Sequence, residues 1–388
     1  MNTGWLIGDR IFSVLLDCLS AATKLHTVNF WRVGLSSAQI TQLASFLSIN
    51  NTIRQLTIDA NEKLDDSCLA QLIDDSINLT KLQLRYCCLG PAEAKHIAMR
   101  LGITTSANSK LLSLDLSGNQ LGDKGTIYLA EALRTNRTLL TLSLSNNNIG
   151  DIGAGALATV LSQFFLTHDE IVQRRLLISE MFLSENASQK QEQEQKEEKV
   201  ATKGKKTENS PPKKGVEDSE FDGSRIDLSE SDDSSANPNG SKTAPKGKPG
   251  RTSRNAKQVA DQVPIDGSPD LAQNVHPFLE KPEYVEPYGL RVTGNFVVAF
   301  LNLSRNKISC SGLEKLLSTV KFQVELLNSG TKVNGTGLMK LLLRGNQFDE
   351  TCKEMRSLMD VIMLRDPFAK GPLTADGEIP PAEPQLSC

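Results

Sequence analysis

The sequence predicts an α/β solenoid built from stacked strand–helix repeats. Two neighbouring segments carry the same phrase: LLSLDLSGNQLGD begins at Leu111, and LLTLSLSNNNIGD begins at Leu139, 28 residues later. Each phrase is followed by apolar residues at three- and four-residue spacing, the pattern of an amphipathic helix. A unit of one strand and one helix cannot bury its own apolar face, so such units must stack on one another.

The shared phrase, L-x-x-L-x-L-x-x-N-x-L/I, is the signature of a leucine-rich repeat. Strand side chains alternate in direction, so Leu114 and Leu116 should point into the core. Asn119 and Asn147 end their strands, and their amides can bond backbone groups of two successive turns. The 28-residue period leaves room for a full helix, as in the ribonuclease-inhibitor type of repeat. That type has parallel strands on its concave face and helices on its convex face.

Less regular copies of the phrase occur on both sides of this pair. They begin at Leu25, Ile53, Leu79, Val298 and Leu338. In the copy from Leu79, Cys87 stands in the asparagine position, where a small buried side chain fits. A redox role is the alternative interpretation of this cysteine.

The repeats are interrupted by a long charged insertion, and the chain therefore divides into five predicted parts. These are leucine-rich repeats (1–163), a long helix leaving the solenoid (164–200), a disordered low-complexity insertion (201–270), a return segment with further repeats (271–366) and a disordered tail (367–388). The insertion is rich in Lys, Glu, Ser and Pro, which cannot bury a core. We expect the strands on either side of it to be adjacent, because an open solenoid end would expose a strand edge. Two separate short solenoids are the alternative.

The segment from Ile7 to Asp9 parallels the one from Leu121 to Asp123, and an apolar helical pattern follows both. By this alignment, the first strand would begin before Met1. The sequence therefore suggests a truncated product, with a degenerate N-terminal cap as the alternative.

Composition narrows the classes of function. A net charge of −3 favours neither a nucleic-acid nor a membrane partner, and no apolar run is long enough to span a bilayer. Seven cysteines without metal-like spacing indicate reduced thiols in an intracellular protein. With four histidines and no catalytic motif, we predict no cofactor, no metal and no enzymatic activity.

The predicted binding site lies on the concave face, at variable outward positions of the strands. Its candidate residues are Trp31, Arg32, Arg54, Lys81, Arg85, Tyr86, Phe300 and Arg344. Tryptophan, tyrosine and arginine are the side chains that most often dominate protein interfaces. A basic, aromatic surface of this kind would suit an acidic segment of a protein partner. The acidic block of the insertion could occupy the same surface as an intramolecular plug.

The extension LTHDEIVQRRLL and the split arrangement of the repeats add to the generic pattern. In these features the chain resembles ribonuclease-inhibitor-type leucine-rich repeat proteins with an interrupted solenoid. The resemblance covers most of the chain apart from the insertion. It implies a non-enzymatic protein of the cytoplasm, found in ciliated or flagellated cells.

These observations together predict a protein–protein interaction scaffold. Two alternatives remain open: a GTPase-activating protein of the Ran type, which acts by ordering the GTPase's own catalytic residues, and an enzyme inhibitor of the ribonuclease-inhibitor type. The sequence does not identify the partner and does not predict an oligomeric state.

Overall fold

The computed structural model describes residues 6–61, 64, 67–103, 108–184 and 276–365. The chain divides into two compact units, one of residues 1–178 with 275–388 and one of residues 179–274. Only residues 179–184 of the second unit are described, so the architecture below is that of the first. The predicted insertion (201–270) and tail (367–388) lie outside the described residues.

Strands and helices alternate along the chain as the repeats predict. The helices are α1 (Asp9–Ala21), α2 (Ser37–Ile49), α3 (Pro91–Ala98), α4 (Gly122–Leu133), α5 (Asp151–Ser162), α6 (168–184), α7 (Cys310–Asn328) and α8 (Lys353–Met363). The strands are β1 (Thr27–Asn29), β2 (Gln55–Thr57), β3 (Lys81–Gln83), β4 (Ser113–Asp115), β5 (Thr141–Ser143), β6 (Gln163–Phe165), β7 (Glu283–Val285), β8 (Gly289–Thr293), β9 (Phe300–Asn302) and β10 (Lys340–Leu342). A 3₁₀-helix (Leu69–Ile73) stands where a helix of the third repeat is expected.

Seven of the ten described strands form one sheet, in the order β1-β2-β3-β4-β5-β9-β10. Every pair of neighbours in it is parallel. The middle residue of each strand points into the core, and these residues pair in register across the sheet. They are Val28, Leu56, Leu82, Leu114, Leu142, Leu301 and Leu341. The helices cover the inner face of the sheet, so the outward strand residues form the concave face.

The asparagines that end the strands join neighbouring repeats, as predicted. Asn119 donates to the carbonyl oxygens of Leu84 and Leu116, at 2.8 and 2.7 Å. Its own oxygen accepts from the backbone N–H groups of Cys87 and Leu89. Asn119 is buried, so each of these turn groups would otherwise lack a partner in a place that water does not reach.

The two halves of the solenoid are continuous across the insertion, which confirms the single-solenoid prediction. Strand β5 pairs with β9, with Thr141 opposite Phe300. Asn306 repeats the asparagine contacts across this junction, because its oxygen accepts from the N–H group of Asn147 at 2.8 Å. Asp151 of α5 accepts from the N–H group of Ser309 at 2.7 Å, at the beginning of α7.

The carboxylate of Asp151 gives the junction a predictable dependence on pH. Burial acts to raise the pKa of Asp151, but hydrogen bonds from Ser309 and Gly312 outweigh it, and the net shift is downward. A carboxylate whose pKa is lower in the folded than in the unfolded protein stabilises the fold when the pH is above its unfolded pKa. This stabilisation is lost as the pH falls through the folded pKa. We therefore expect Asp151→Asn to reduce the free energy of unfolding at pH 7 and to have progressively less effect below about pH 4.

Urea denaturation of both proteins between pH 7 and pH 2.5 measures this difference. Asp169→Asn is the matched control, because Asp169 is an exposed aspartate in the first turn of α6. If the free energies of unfolding of wild type and Asp151→Asn differ by the same amount over the whole pH range, the prediction is wrong.

The predicted long helix begins later than residue 164. Residues Gln163–Phe165 instead form β6, which pairs antiparallel with β8, and the helix starts at residue 168. Phe164 lies opposite Val292, and both side chains are buried in a small second core. Burial against a strand more than 100 residues away in sequence overrides the local helical pattern, which sequence periodicity cannot reveal.

The return segment contains two strands. They are β7 and β8, which join β6 in a three-stranded antiparallel sheet. Phe278 is buried in the second core, whereas Tyr284 and Tyr288 are exposed. Arg134 joins this sheet to the solenoid: its guanidinium lies 4.0 Å from the Phe164 ring centroid, and its Nε donates to Glu170 at 2.7 Å.

A long helix, α7, lies between the last two copies of the phrase, which begin at Val298 and Leu338. α7 has 19 residues and includes KFQVELLN. Gln323 explains the extension: its Oε1 accepts from the N–H group of Leu338, and its Nε2 donates to the carbonyl oxygen of Leu161. Gln323 of α7 therefore joins the end of α5 to the segment that leads into β10.

Candidate protein-binding site

Three outward side chains at the amino-terminal end of the sheet occupy equivalent positions. Trp31, Asp59 and Arg85 each lie three residues after the inward leucine or valine of β1, β2 and β3, which pair in register. Neighbouring parallel strands lie about 4.8 Å apart, which puts Trp31 and Arg85 on either side of Asp59 at about 10 Å from each other. Trp31 and Arg85 therefore occupy the same outward position, two strands apart.

Asp59 holds Arg85 in place. The Arg85 guanidinium donates through Nε (2.9 Å) and Nη2 (2.5 Å) to Asp59 Oδ2, and the Arg85 backbone N–H donates to Asp59 Oδ1. The Asp59 side chain is 3% exposed, whereas that of Arg85 is 41% exposed. The hydrogen bond to Asp59 is the main reason that the pKa of Arg85 is raised. Arg85 is thus a fixed, half-exposed side chain whose charge is balanced within the chain.

A second carboxylate lies close to Arg85. Asp115 Oδ2 is 4.0 Å from Arg85 Nε. The basic surface predicted from the sequence is balanced at this end of the sheet, because Asp59 and Asp115 lie beside Arg85. Asp59 lies three residues after Leu56, which makes its position outward. Nothing in the sequence, however, indicates that Asp59 is buried.

Tyr86 and Arg32 occupy the next outward position, where the backbone is left-handed. Their φ angles are 56° and 52°. The Tyr86 ring lies against Gly118 of the following repeat, where an added Cβ would come within 2.3 Å of the ring. Gly118 therefore provides a flat backbone surface for Tyr86, which remains 55% exposed. Trp31 is 62% exposed, so two large aromatic side chains face solvent at this end.

The other candidates lie apart from this group. Arg54 precedes β2, at the opposite end of the strand from Asp59, and its guanidinium donates to the carbonyl oxygen of Asn78 at 3.2 Å. Lys81 begins β3 and is half-buried between Gln55 and Ser113. Arg54 therefore belongs to the rim of the sheet, and the structure does not bring it together with Trp31.

Phe300 and Arg344 lie on β9 and directly after β10. Three strand spacings separate β3 from β9, about 14 Å. These two candidates therefore form a second group at the carboxyl-terminal end of the sheet. The candidate residues therefore lie in two separate groups, one at each end of the sheet.

Between the two groups, the outward side chains bond to one another. Ser117 donates to Asp115 at 2.6 Å, the hydroxyls of Ser117 and Ser143 lie 2.9 Å apart, and Asn302 donates to Ser143 at 3.2 Å. Polar groups that are already satisfied gain little from a partner. This small, polar middle section thus separates two surfaces that offer larger and more available side chains.

Cys87 fills the asparagine position, as predicted, and is buried. Its thiol donates to the carbonyl oxygen of Ile58 at 2.9 Å. Burial raises the pKa of Cys87 to about 12. Because the thiolate is the reactive form, the protonated, buried Cys87 is unsuited to redox chemistry or catalysis.

Within the described residues, no group of three or more His, Cys, Asp and Glu side chains could hold a metal ion. A search of the same residues finds no helix with the length and apolar character needed to cross a membrane.

Comparison with known protein families matches the family described as "Leucine Rich repeat" to residues 107–130 and 135–158. These ranges cover the two regular repeats around β4 and β5. Together with the parallel sheet and its covering helices, this match supports a leucine-rich repeat solenoid as the fold of this part of the chain.

The chain is similar to parts of several curated proteins. It is 29% identical to the ribonuclease inhibitor of Sus scrofa over 131 residues, 33% of this chain and 28% of that protein. It is 36% identical to "NACHT, LRR and PYD domains-containing protein 12" of Homo sapiens over 114 residues, 29% of this chain and 10% of that protein. It is 27% identical to "Rho GTPase-activating protein gacW" of Dictyostelium discoideum over 131 residues, 32% of this chain and 12% of that protein. The chain therefore spans less than a third of the length of each.

Among solved structures, "Leiomodin-1 Actin-Binding Site 2 (ABS2)" covers 49% of this chain and 98% of its own, at 17% identity and a TM-score of 0.24. At this level the likeness carries no argument about function.

Proposed function

We propose that this leucine-rich repeat protein is a non-enzymatic scaffold that binds a partner protein through its concave face. The observation that carries the proposal is the arrangement of Trp31, Arg85 and Tyr86 at the same end of β1 and β3, on either side of Asp59. Two aromatic side chains are exposed beside an arginine that is already fixed by Asp59. Aromatic residues and arginine at the centre of an interface contribute most of the binding free energy.

Fixing Arg85 in advance favours binding. An arginine that must be ordered on association costs about 0.5–1.5 kcal/mol of side-chain entropy. Asp59 removes much of this cost, because the guanidinium is already held by two hydrogen bonds. Tyr86 is restricted similarly by its contact with Gly118. The amino-terminal group therefore has the rigidity expected of a preformed binding surface.

The cellular setting is also a proposal. The extension LTHDEIVQRRLL and the interrupted solenoid resemble leucine-rich repeat-containing protein 71, which favours the cytoplasm of ciliated or flagellated cells. Fluorescent tagging of the chain in multiciliated cells tests this placement. A uniform distribution that excludes the cilium and its base would count against it.

Replacing Trp31 by alanine should weaken partner binding by about 30-fold, corresponding to about 2 kcal/mol, because it removes a large exposed aromatic contact. The partner is first captured by a photo-crosslinking amino acid placed at position 31 and identified by mass spectrometry. Affinity is then measured with the purified partner by calorimetry, for wild type and for Trp31→Ala and Tyr86→Ala.

Tyr284→Ala is the matched control, since Tyr284 is an equally exposed aromatic on β7 rather than on the concave face. The partner should crosslink at position 31 and not at position 284. If Trp31→Ala binds as tightly as wild type, or if Tyr284→Ala is the weaker binder, the proposed site is wrong.

An enzyme inhibitor of the ribonuclease-inhibitor type is the second candidate, supported by the similarity over 131 residues to the ribonuclease inhibitor of Sus scrofa. Inhibition of pancreatic ribonuclease by the purified chain tests it directly. A GTPase-activating role is the third, and the similarity to a Rho GTPase-activating protein favours including Rho-type GTPases beside Ran. Acceleration of single-turnover GTP hydrolysis would replace the scaffold proposal.

A further inference from the structure

Two arginines meet at the carboxyl-terminal end of the concave face. Arg344 follows β10, and Arg305 follows β9 in the left-handed position, with a φ angle of 57°. The Arg305 N–H group donates to the Arg344 carbonyl oxygen at 2.8 Å. The Arg305 side chain lies over Gly345, where an added Cβ would be 3.4 Å from Arg305 Cγ. This contact brings the Arg305 side chain beside the strand end that carries Arg344.

The positive charge at this end is only partly balanced. The Arg344 side chain is 90% exposed, and its partner Glu350 is 3.8 Å away and itself exposed. Such exposed pairs contribute little. Glu350 also accepts from the N–H group of Gly345 at 2.9 Å. Within the described residues, Arg305 makes no ion pair.

The amino-terminal end has the opposite character. There, the charge of Arg85 is balanced by the buried carboxylate of Asp59 and by Asp115 nearby. A partner carboxylate approaching Arg85 would meet both of these negative charges. An acidic segment is therefore attracted to Arg305 and Arg344 more strongly than to Arg85.

Apolar side chains precede the two arginines on the same strands. Phe300 and Leu342 point outward, because they alternate along β9 and β10 with the inward Leu301 and Leu341, and both are half-buried. Phe300 precedes Arg305 by five residues, about 17 Å along an extended chain. A segment lying along the strands could thus contact the apolar pair and, about four residues further on, both arginines.

We infer that the carboxyl-terminal end of the concave face is a separate subsite for an acidic peptide segment of the partner. Two consecutive carboxylates bind Arg305 and Arg344, and a preceding apolar side chain packs against Phe300 and Leu342. This inference rests on the proposed function, since the segment belongs to a protein partner, but it assigns the acidic contact to the end of the sheet remote from Trp31.

A fluorescein-labelled peptide with one leucine and, four residues later, two consecutive glutamates tests the subsite by fluorescence anisotropy with the full-length chain. We expect saturable binding that weakens with salt and falls by about tenfold in Arg344→Glu and in Arg305→Glu. Arg175→Glu is the matched control, because Arg175 is an exposed arginine on α6 and not on the concave face. It should bind the peptide as wild type does.

Two outcomes would overturn the subsite: no saturable binding up to millimolar peptide, or equal loss of binding in Arg175→Glu and Arg305→Glu. Tighter binding of a single-stranded oligonucleotide of equal charge would assign the arginines to nucleic acid instead. Circular dichroism verifies folding, and the fully exposed Arg344 provides a variant that leaves the core untouched. Because the peptide assay does not involve Trp31, its failure is distinguishable from failure of the proposed function.

Discussion

Replacing Asn306 by alanine should lower the free energy of unfolding by about 3 kcal/mol, the largest effect that we expect from one polar substitution. The Asn306 amide donates to the carbonyl oxygens of Leu144 and Leu303 and accepts from the N–H groups of Asn147 and Ile149. Alanine leaves buried groups of both halves of the solenoid unpaired, and each such group costs about 1–3 kcal/mol. Urea denaturation measures the loss.

Asn346→Ala is the matched control for this substitution. Asn346 occupies the same position one repeat later, but it is half-buried and accepts from one N–H group, that of Ile308. Water can replace part of its hydrogen bonding, so its loss should be smaller. Asn306→Ala should also accelerate hydrogen exchange at the Asn147 amide. If Asn346→Ala is the more damaging change, the junction at β5 and β9 is not held as we describe.

Replacing Arg85 by methionine should cost about 2 kcal/mol of stability, because it leaves the Asp59 carboxylate buried without its cationic partner. Breaking a fully buried ion pair costs about 3–5 kcal/mol, and the half-exposed Arg85 reduces this figure. Removing the charge of Asp59 as well, in Asp59→Asn/Arg85→Met, should recover most of the loss. A double-mutant cycle by urea denaturation provides the coupling energy.

Arg344→Met is the control for this cycle. It lies in the same outward position as Arg85, but its carboxylate partner is exposed and 3.8 Å away, so the change in stability should be below about 0.5 kcal/mol. Equal losses in Arg85→Met and Arg344→Met would contradict the role of Asp59. The same geometry makes Arg85→Glu unsuitable for testing partner binding. Its new carboxylate would lie against that of Asp59, and the repulsion would unfold this end of the strand.

The two ends of the concave face thus differ in physical character. At the amino-terminal end, exposed aromatic rings surround an arginine whose charge is balanced within the chain. At the carboxyl-terminal end, Arg305 and Arg344 lie together with one exposed carboxylate beside them. A partner that contacts both ends would need to bridge the polar middle section of β4 and β5. This requirement favours an extended partner surface over a small ligand.

The sequence by itself determined the repeating part of the fold. Leucine spacing defined the strands and the buried columns, and the asparagines after β4, β5 and β9 make the contacts expected of them. The adjacency of β5 and β9 also followed from sequence, because an interrupted solenoid must cover its open edges. These inferences succeed because each repeat depends chiefly on its nearest neighbours, which the period identifies.

The tertiary structure alone decided features that depend on contacts outside the repeat. Phe164 lies in a strand rather than a helix because Val292 pairs with it from across the insertion. Arg85 is balanced because the turn after β2 buries Asp59 beside it, and Arg305 lies next to Arg344 because its N–H group donates to the Arg344 carbonyl oxygen. Whether an outward charge is available to a partner depends on its neighbours in adjacent strands. Composition and spacing therefore identified the residues of the candidate site, and packing between strands divided them into two surfaces.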